Sequence, residues 1–468
     1  MTISALPPIT SRLTAFASQL TPEAIPAALR QKMALHFIDS LGCGIAGADS
    51  RVARDSARVI RAQYAPGAGI ALDGGTPLSP VGAAFLNAAA INALDYDDGY
   101  EVAGRGMGHP GATLVAAALA AVGPRPIGGR ALIRALTAAY EINGRVILSQ
   151  QPSSERFQQV YGVCQHESLG AAVAYGLLTG CDADGLENAL GLAASLTPLP
   201  SLHKYNWRQR PLVSFKDYNA PAAEAGVRAV ELHYGGIVGP RDVLAGEQGF
   251  WRMMGSDRFD ESLLIGELGE QWLARHASFK AYPVCRWLHT ALESYERLPP
   301  HLVTPQLVER VQVTGSQTLA SCFADARPLN ATDAQFSLPV ALACLAYDVP
   351  RHRWSDEETL ADPRILAFAD KVEIGVDPEL NRLMLQQRRP VSRVEVVVGG
   401  RTLSGARIDF PLGCAQHPLS EALVLDKFAR NLSARAAPPV IDAAIAALSE
   451  LERCADIGAI IAPLLETR

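Results

Sequence analysis

The chain has 468 residues, with 42 Lys and Arg against 48 Asp and Glu, and therefore a net charge of −6 at pH 7. This length predicts two or three domains and a large buried core. The slight acidic balance, with no long run of either sign, argues against nucleic acid or an anionic membrane surface as a partner, whereas a small anionic substrate needs only local positive charge.

The amino-terminal segment, MTISALPPITSRLTAF, has no basic region followed by an apolar run, so we expect no signal peptide. The longest apolar stretches, such as GATLVAAALAAVG, are too short to span a bilayer. Both observations predict a soluble, cytoplasmic protein. The eight cysteines include no C-x-x-C pair, which argues against a structural zinc site, an iron–sulfur ligand run and a disulfide framework.

Alanine-rich helices are predicted from the N-terminus to about residue 270, because Ala and Leu recur there at helical spacing between Gly and Pro breaks. Small residues on helix faces permit close packing and indicate a helical bundle. The clearest segments are PAALRQKMALHFIDSLGCGIAG, PVGAAFLNAAAINALDYDD, GATLVAAALAAVG, GRALIRALTAAYEINGRVI, HESLGAAVAYGLLTG and ADGLENALGLAASL.

Beyond about residue 275 the pattern changes to alternating apolar and polar residues rich in Val, which is typical of half-buried strands. The segments LVERVQVTGS, DKVEIGVD and SRVEVVVGGRTLSGARID are predicted strands, while QFSLPVALACLAYDV and the tail after Pro418 are predicted helices. We therefore predict a mainly α protein. A large all-α helical-bundle domain, residues 1–272 and 415–468 (the helical region), receives a smaller α+β lid domain inserted at residues 273–414 (the lid region).

The segment LDYDDGYEVAGRGMGHPG concentrates groups that can transfer protons. It contains Asp95, Asp97, Asp98 and His109, and the proline after the histidine excludes a helix interior. A carboxylate can act as a base, and a close neighbour can be raised in pKa enough to act as an acid. The alternative for each aspartate is helix N-capping, and a hard-cation site ranks third because no defined metal motif is matched.

A second cluster lies in FKAYPVCRWLHTALE, where the bundle pattern gives way to strands. Lys280 precedes a helical turn, and Arg286 and His289 are three residues apart and so share one helical face. An Arg beside a His can bind a substrate carboxylate and move a proton next to it. An ordinary amphipathic surface helix explains the pattern equally well.

Two further segments place polar groups at helix starts. Lys216 in SFKDYNAPAAEAG gains nothing from the helix dipole, so it needs either Asp217 or an anionic ligand beside it. Tyr161 and His166 in VYGVCQHESLGAAVAYG precede another helix of small residues. These two segments indicate helix-entry chemistry without fixing a role.

Taken in order, DYDD with GHPG, GAAVAYGLLTG, FKDYNAPAAEAGVRAV with GPRDVL, KAYPVCRWLH, QFSLPVALA and HPLSEALVLDKF resemble the MmgE/PrpD family over nearly the whole chain. The family includes 2-methylcitrate dehydratases, cis-aconitate decarboxylase and iminodisuccinate epimerase, which act on small polycarboxylates without a redox cofactor. The resemblance implies a helical domain built from both termini, an α+β lid, a homodimer, no cofactor and no metal.

The resemblance also implies a cleft between the two domains that holds Asp97 or its neighbours Asp95 and Asp98, together with His109, Lys216 and His289. It makes Arg286 a candidate ligand of a substrate carboxylate; the residue-level candidates for the same role are Lys280 and Arg105. One departure stands out. Tyr161 takes the place of a histidine that the decarboxylase and many dehydratases have nine residues before the GAAxA helix, and a tyrosine is a poor base at neutral pH.

The reaction expected from this resemblance begins with removal of a proton alpha to a carboxylate, with cations placed where the negative charge develops. We assign His109 as the base, an aspartate of DYDD as the group that orients it, and His289 or Tyr161 as the acid. Dehydration is the leading hypothesis. Epimerisation, decarboxylation and binding of a polycarboxylate without catalysis are the alternatives.

Overall fold

A computed structural model describes residues 7–123, 125–159, 166–198, 212 and 218–466. The fold is mainly α, as predicted, with short strands. The helices are α1 (Ile9–Gln19), α2 (Ala27–Gly47), α3 (Arg51–Gln63), α4 (Pro80–Asn92), α5 (Pro110–Ala120), α6 (Gly129–Ser149), α7 (Ser154–Gln159), α8 (Glu167–Thr179), α9 (Ala183–Leu196), α10 (Asn219–Tyr234), α11 (Phe250–Met253), α12 (Glu261–Ile265), α13 (His289–Glu296), α14 (Gln317–Cys322), α15 (Ala331–Gln335), α16 (Leu338–Ala346), α17 (Glu357–Ala361), α18 (Pro363–Ala369), α19 (Pro378–Gln387), α20 (Glu421–Leu432), α21 (Pro438–Ser449) and α22 (Gly458–Leu465). The strands are β1 (Pro66–Gly69), β2 (Gly99–Val102), β3 (Arg105–Gly106), β4 (Ala277–Ser278), β5 (Val308–Gly315), β6 (Val372–Val376), β7 (Arg393–Val398) and β8 (Arg401–Ser404).

The centre of the helical region is built from helices that are apolar on all sides. Every residue of α5 is buried, which is the expected position for a helix with no polar face. Small residues allow the neighbouring helices to approach closely: a Cβ at Gly226 of α10 would lie 2.5 Å from the Cβ of Ala171 in α8. Helix α20, from the C-terminal part of the chain, packs on α2, where a Cβ at Gly42 would meet Phe428 at 2.9 Å.

The predicted strands of the lid region form one mixed sheet in the order β6-β5-β7-β8. Strand β5 pairs in parallel with β6 and antiparallel with β7, and β7 pairs antiparallel with β8. Buried Val311, Val313, Val394 and Val396 alternate with more exposed residues, and this period of two is the pattern from which the strands were predicted. Helices α13 and α16 are also buried in this part of the molecule.

The buried apolar residues form two large separate clusters, one mainly in the helical region and one mainly in the lid region. The first contains residues between 9 and 277 and between 428 and 464, and the second contains Leu212 and residues between 282 and 396. The chain enters and leaves the lid region through two segments that lie side by side. The backbone N–H of Phe279, near the start of the lid region, donates to Gly413 O, near its end, at 3.0 Å. The two clusters are separate cores, but Ala274 and Ala277 belong to the first one, so the domain boundaries at residues 273 and 414 stay a prediction.

A small second sheet, in the order β3-β2-β4, was not predicted. The segment GYEVAGRGM folds into a hairpin whose turn residues Ala103 and Gly104 have φ values of 52° and 81°. Strand β2 then pairs with β4, so that Gly99 lies opposite Ser278 and the predicted catalytic segment is joined to the start of the lid region. None of the helices in the described ranges is long and apolar enough to cross a membrane. Cys43, Cys181, Cys344, Cys414 and Cys454 are free thiols.

Candidate active site

The three aspartates of the DYDD segment are all completely buried, and each has its own set of partners. The segment leaves the end of α4, and Asp95 has a φ of 51°, a left-handed conformation that Asp tolerates better than most residues. Burial of several carboxylates is costly unless hydrogen bonds or cations compensate it. The surrounding helices supply these groups, so the segment is a fixed part of the core.

Asp98 connects the segment to α5. Its Oδ1 accepts the backbone N–H of Gly111 at 2.7 Å, and its Oδ2 accepts the hydroxyl of Tyr140 at 2.6 Å and lies 3.3 Å from Nδ1 of His36. Gly111 permits this approach, because a Cβ there would lie 2.7 Å from the Asp98 carboxyl carbon. Burial raises the pKa of Asp98 to about 6 despite these bonds. The capping interpretation therefore applies to this aspartate.

Asp95 forms a buried ion pair with Lys280, whose ammonium group also donates to the Asp95 backbone oxygen at 3.1 Å. Lys427 of α20 supports the pair from behind, donating to the backbone oxygens of Tyr96 and Lys280 at 2.6 and 3.1 Å. Its own countercharge is Asp39, 2.7 Å away. Although burial lowers it, the pKa of Lys427 is raised overall by the negative charge of Asp39.

His109 is the residue immediately before α5, and three hydrogen bonds fix it. Its Nδ1 lies 2.8 Å from the backbone oxygen of Asp98, which can only accept, so Nδ1 carries the proton. The neutral ring then has an unprotonated Nε2, which is the form a general base requires. The backbone N–H donates to Glu167 at 3.1 Å, and the backbone oxygen accepts from Asn219 at 3.1 Å.

Glu167 and Asn219 form a buried network that sequence reasoning missed. The Glu167 carboxylate accepts from the hydroxyl of Thr113 at 2.6 Å and from the Asn219 amide at 2.8 Å, and that amide also donates to Thr113 at 2.9 Å. Helices α5, α8 and α10 thus meet at the backbone of His109. The only sequence signal was polar residues at the starts of two apolar helices, which capping explains as well.

Asp97 lies against the same histidine. Its two carboxylate oxygens each accept from the side-chain amide of Asn92 at 3.3 Å. One carboxylate oxygen of Asp97, one of Asp95 and a ring nitrogen of His109 lie within 4.8 Å of one another. These atoms have the spacing of a cation site, and the same spacing suits a carboxylate group that assists a base.

Arg286 and His289 lie on the lid side of the hairpin. Arg286 donates from Nε to Glu101 at 2.6 Å and from Nη1 to Leu412 O at 2.9 Å. Its buried Nη2 has no hydrogen-bond partner within the described ranges. A side chain anchored at two nitrogens with a third N–H group to spare can bind a substrate carboxylate.

The position of His289 revises the role we predicted for it. The ring is completely buried, its Nε2 lies 3.2 Å from Val284 O, and its Nδ1 lies 3.1 Å from Nη1 of Arg286. Burial, assisted by the charge of Arg286, lowers its pKa well below the ordinary value. A neutral ring with both nitrogens engaged is a poor proton donor, so we assign His289 to positioning Arg286 and no longer to acid catalysis.

Of the remaining predicted residues, Arg105 is the one that the structure describes. Arg105 is at the tip of the hairpin and donates to Gln151 at 2.9 Å, and it forms no hydrogen bond or ion pair with the three aspartates. Tyr161 and Lys216 fall outside the described residues, and their roles stay predictions. The structure thus brings Asp95, Asp97, Asp98, His109 and Lys280 together, with Arg286 and His289 across the hairpin.

Comparison with known proteins gives a consistent result. The N-terminal domain model of the MmgE/PrpD family matches residues 11–262, and its C-terminal domain model matches residues 282–452. A cis-aconitate decarboxylase of Aspergillus terreus (strain NIH 2624 / FGSC A1156) is 24% identical over 446 residues, covering 90% of this chain and 88% of that protein. The cis-aconitate decarboxylase of Homo sapiens is 24% identical over 401 residues, covering 81% and 78%.

Proposed function

Because the chain belongs to the MmgE/PrpD family, we propose that it is a hydro-lyase of the 2-methylcitrate dehydratase type. It would remove a proton alpha to a carboxylate of a small di- or tricarboxylate and expel a hydroxyl group. The observation that carries the proposal is the fixed, half-buried ring of His109, whose tautomer is set by the Asp98 backbone oxygen and whose neighbours are two buried carboxylates.

His109 is suited to the proton-abstraction step. The backbone N–H of His109 donates to Glu167 and its backbone oxygen accepts from Asn219, so the residue needs little reorganisation when a substrate arrives. Asp97 lies close enough to stabilise the imidazolium that forms after proton transfer. We therefore assign Asp97 as the partner of the base, and Asp98 as the group that fixes its tautomer and its position at α5.

Negative charge that develops on the substrate needs cations nearby. Arg286 is the best placed of the described candidates, because it keeps one buried N–H group without a partner. Lys280 is already neutralised by Asp95, so it would stabilise the substrate less directly. Lys216 and Tyr161 complete the proposal as a cation and as the acid that protonates the leaving hydroxyl.

Decarboxylation is the second candidate, and the names of the relatives favour it. In that reaction the bond to a carboxylate breaks and a proton is delivered to carbon, so His109 would act as an acid. Epimerisation, the other alternative, needs a second proton carrier on the opposite face of the carbon. A polycarboxylate binder without catalysis needs neither.

One experiment separates the three reactions. The purified protein is incubated in D2O with 2-methylcitrate, citrate or cis-aconitate, and the mixture is followed by proton NMR together with detection of carbon dioxide. An unsaturated product without carbon dioxide supports the hydro-lyase, and carbon dioxide release supports the decarboxylase instead. Deuterium in recovered substrate, with neither an unsaturated product nor carbon dioxide, would support the epimerase.

Substitution of His109 tests whether this residue is the catalytic base. His109→Gln should lower turnover at least ~100-fold while the protein stays folded, as expected for loss of a general base. His301→Gln, at an exposed histidine, is the matched control and should be fully active. Substrate-dependent stabilisation against heat with no turnover by wild type would leave only the binding role.

The assembly and location stay predictions as well. We propose a homodimer in which the lid region closes over the helical region to complete the site. Light scattering coupled to gel filtration measures the assembly directly. A mass of one chain at micromolar concentration would contradict it. The cytoplasmic location is tested by fractionation of cells that produce the protein.

A further inference from the structure

Two arginines, one from the hairpin and one from the lid region, share a single neutral acceptor. Arg105 donates from Nη2 to Oε1 of Gln151 at 2.9 Å, and Arg388 donates from Nη2 to the same oxygen at 2.8 Å. The amide is held in this orientation because its nitrogen donates to Ile147 O at 2.8 Å. The two guanidinium groups are therefore about 6 Å apart or less and repel each other.

Neither arginine has a carboxylate partner in the described part of the chain, where no Asp or Glu oxygen lies within 4.0 Å of either one. The neighbouring Arg389, by contrast, has Asp409 at 3.9 Å. Arg388 is only 8% exposed, and Nε of Arg105 is buried without a hydrogen-bond partner. Arg105 as a whole is half-buried, so the two unpaired cations are partly shielded from water and counterions and repel each other.

The arrangement is also fixed in shape. Arg388 ends α19 in a left-handed conformation, with a φ of 52°, and its guanidinium lies over the ring of Phe157, 3.9 Å from the centroid. This contact fixes the plane of the guanidinium and leaves its edge for ligands. Burial and the nearby charge of Arg258 lower the pKa of Arg105, which agrees with an excess of positive charge at this place.

We propose that Arg105 and Arg388, held together by Gln151, form a binding site for an oxyanion group, a carboxylate or a phosphate. An anion between the two guanidinium groups would supply the missing countercharge to both and would join the hairpin to the lid region. Its source is either the distal carboxylate of the substrate or a free inorganic anion.

The distance from Arg105 to His109 allows the substrate to supply the anion. Arg105 precedes His109 by four residues, so their Cα atoms are at most about 14 Å apart. An arginine side chain and a tricarboxylate together span that interval. The assignment of the substrate carboxylate as the bound anion rests on the proposed function, whereas the anion site itself does not.

The first test measures anion binding without turnover. Melting temperatures are recorded with increasing inorganic phosphate or acetate, with chloride at matched ionic strength as the reference. Wild type should gain about 2 °C or more from at least one of the two anions. Arg388→Gln should lose that gain, and Arg382→Gln, at an exposed position of the same helix, should keep it.

A second variant supplies the anion from the protein itself. Gln151→Glu places a carboxylate where both arginines already point, so it should abolish the response of the melting temperature to phosphate and acetate, although it also loses the hydrogen bond to Ile147 O. The proposal is overturned if wild type responds to neither anion, if Arg388→Gln responds like wild type, or if Gln151→Glu still responds to both anions.

Kinetics then identify the source of the anion, once the substrate screen has found a turned-over acid. If the site holds the distal carboxylate, Arg388→Gln should raise KM at least ~10-fold with kcat nearly unchanged, and phosphate should compete with substrate. If it holds a free anion, KM should be unchanged and phosphate should alter kcat. Because the melting measurements need no turnover, failure of the hydro-lyase proposal leaves the anion site testable.

Discussion

Asp98 is a buried carboxylate whose ionisation is opposed by the fold. Burial raises its pKa from 3.8 to about 6, even though Tyr140 and the backbone of Gly111 donate hydrogen bonds to it. An acid with a raised pKa keeps its proton in the folded state over a pH range in which the unfolded chain has lost it. The folded state is therefore stabilised relative to the unfolded chain at low pH, and this advantage is lost as the pH rises from 3.8 to about 6.

Asp98→Asn removes the contribution of this carboxyl group to the pH dependence of stability and keeps the shape of the side chain. Its amide oxygen can still accept from Gly111, and its nitrogen can donate to the Tyr140 oxygen. Since one pKa unit corresponds to about 1.4 kcal/mol, the full cost of ionising Asp98 is about 3 kcal/mol, of which about 2 kcal/mol develops between pH 4.5 and 7.5. Relative to wild type, the variant should become more stable by about 2 kcal/mol over that interval.

The measurement is urea unfolding of both proteins at several pH values, monitored by circular dichroism. Burial also raises the pKa of Glu141, but both proteins contain this group, so its contribution cancels in the difference. The pKa of Asp39 is raised by burial and in part by the charge of Asp98, so the substitution also lowers the pKa of Asp39, which adds to the predicted gain in stability. A difference that does not change with pH would refute the reasoning. A difference that shifts in favour of wild type would mean that the surrounding cations stabilise ionised Asp98 more than burial opposes it.

Three further perturbations test the packing around the site. Lys280→Met should lower the free energy of unfolding by about 3–5 kcal/mol, because it removes the cation that pairs with buried Asp95. Adding Asp95→Asn should recover part of this loss. Equal melting temperatures for the single and double variants would contradict the prediction. Glu167→Gln sets an amide N–H against another donor, and should cost about 1–3 kcal/mol in urea unfolding and lower turnover; unchanged values for both would show that the network is unimportant. Gly413→Ala should lower the melting temperature, since its φ is +98° and a Cβ would lie 2.1 Å from a backbone oxygen, whereas Gly400→Ala, with φ +70° and open space, serves as the control for strain alone and should cost less.

The regular elements were largely predictable because their signals are local. Apolar residues at helical spacing predicted the buried helices, and alternation of Val with polar residues predicted β5, β6 and β7. The His-Pro pair excluded a helix interior at this point, and α5 begins at Pro110. Such signals need only a few neighbouring residues, and these remain neighbours in the fold.

The sequence predicted which residues form the candidate site better than it predicted the role of each residue. Asp97, Asp98, His109 and Lys280 were identified from residue type and order along the chain, and the structure brings them together. Their roles were not fixed, because capping and catalysis use the same side chains. Only the three-dimensional contacts separated Asp98, which binds the start of α5, from Asp97.

The sequence by itself determined which segments become helices and strands and which polar groups are candidates, because periodicity and residue chemistry act over short distances. The tertiary structure decided which of these groups meet. Glu167 reaches the backbone of His109 across 58 positions, and Lys280 neutralises Asp95 across 185. It also decided which groups are desolvated: burial, assisted by the charge of Arg286, lowers the pKa of His289, and burial raises the pKa of Asp98. Neither desolvation nor long-range pairing is encoded in any one segment, and both follow from how the helices pack.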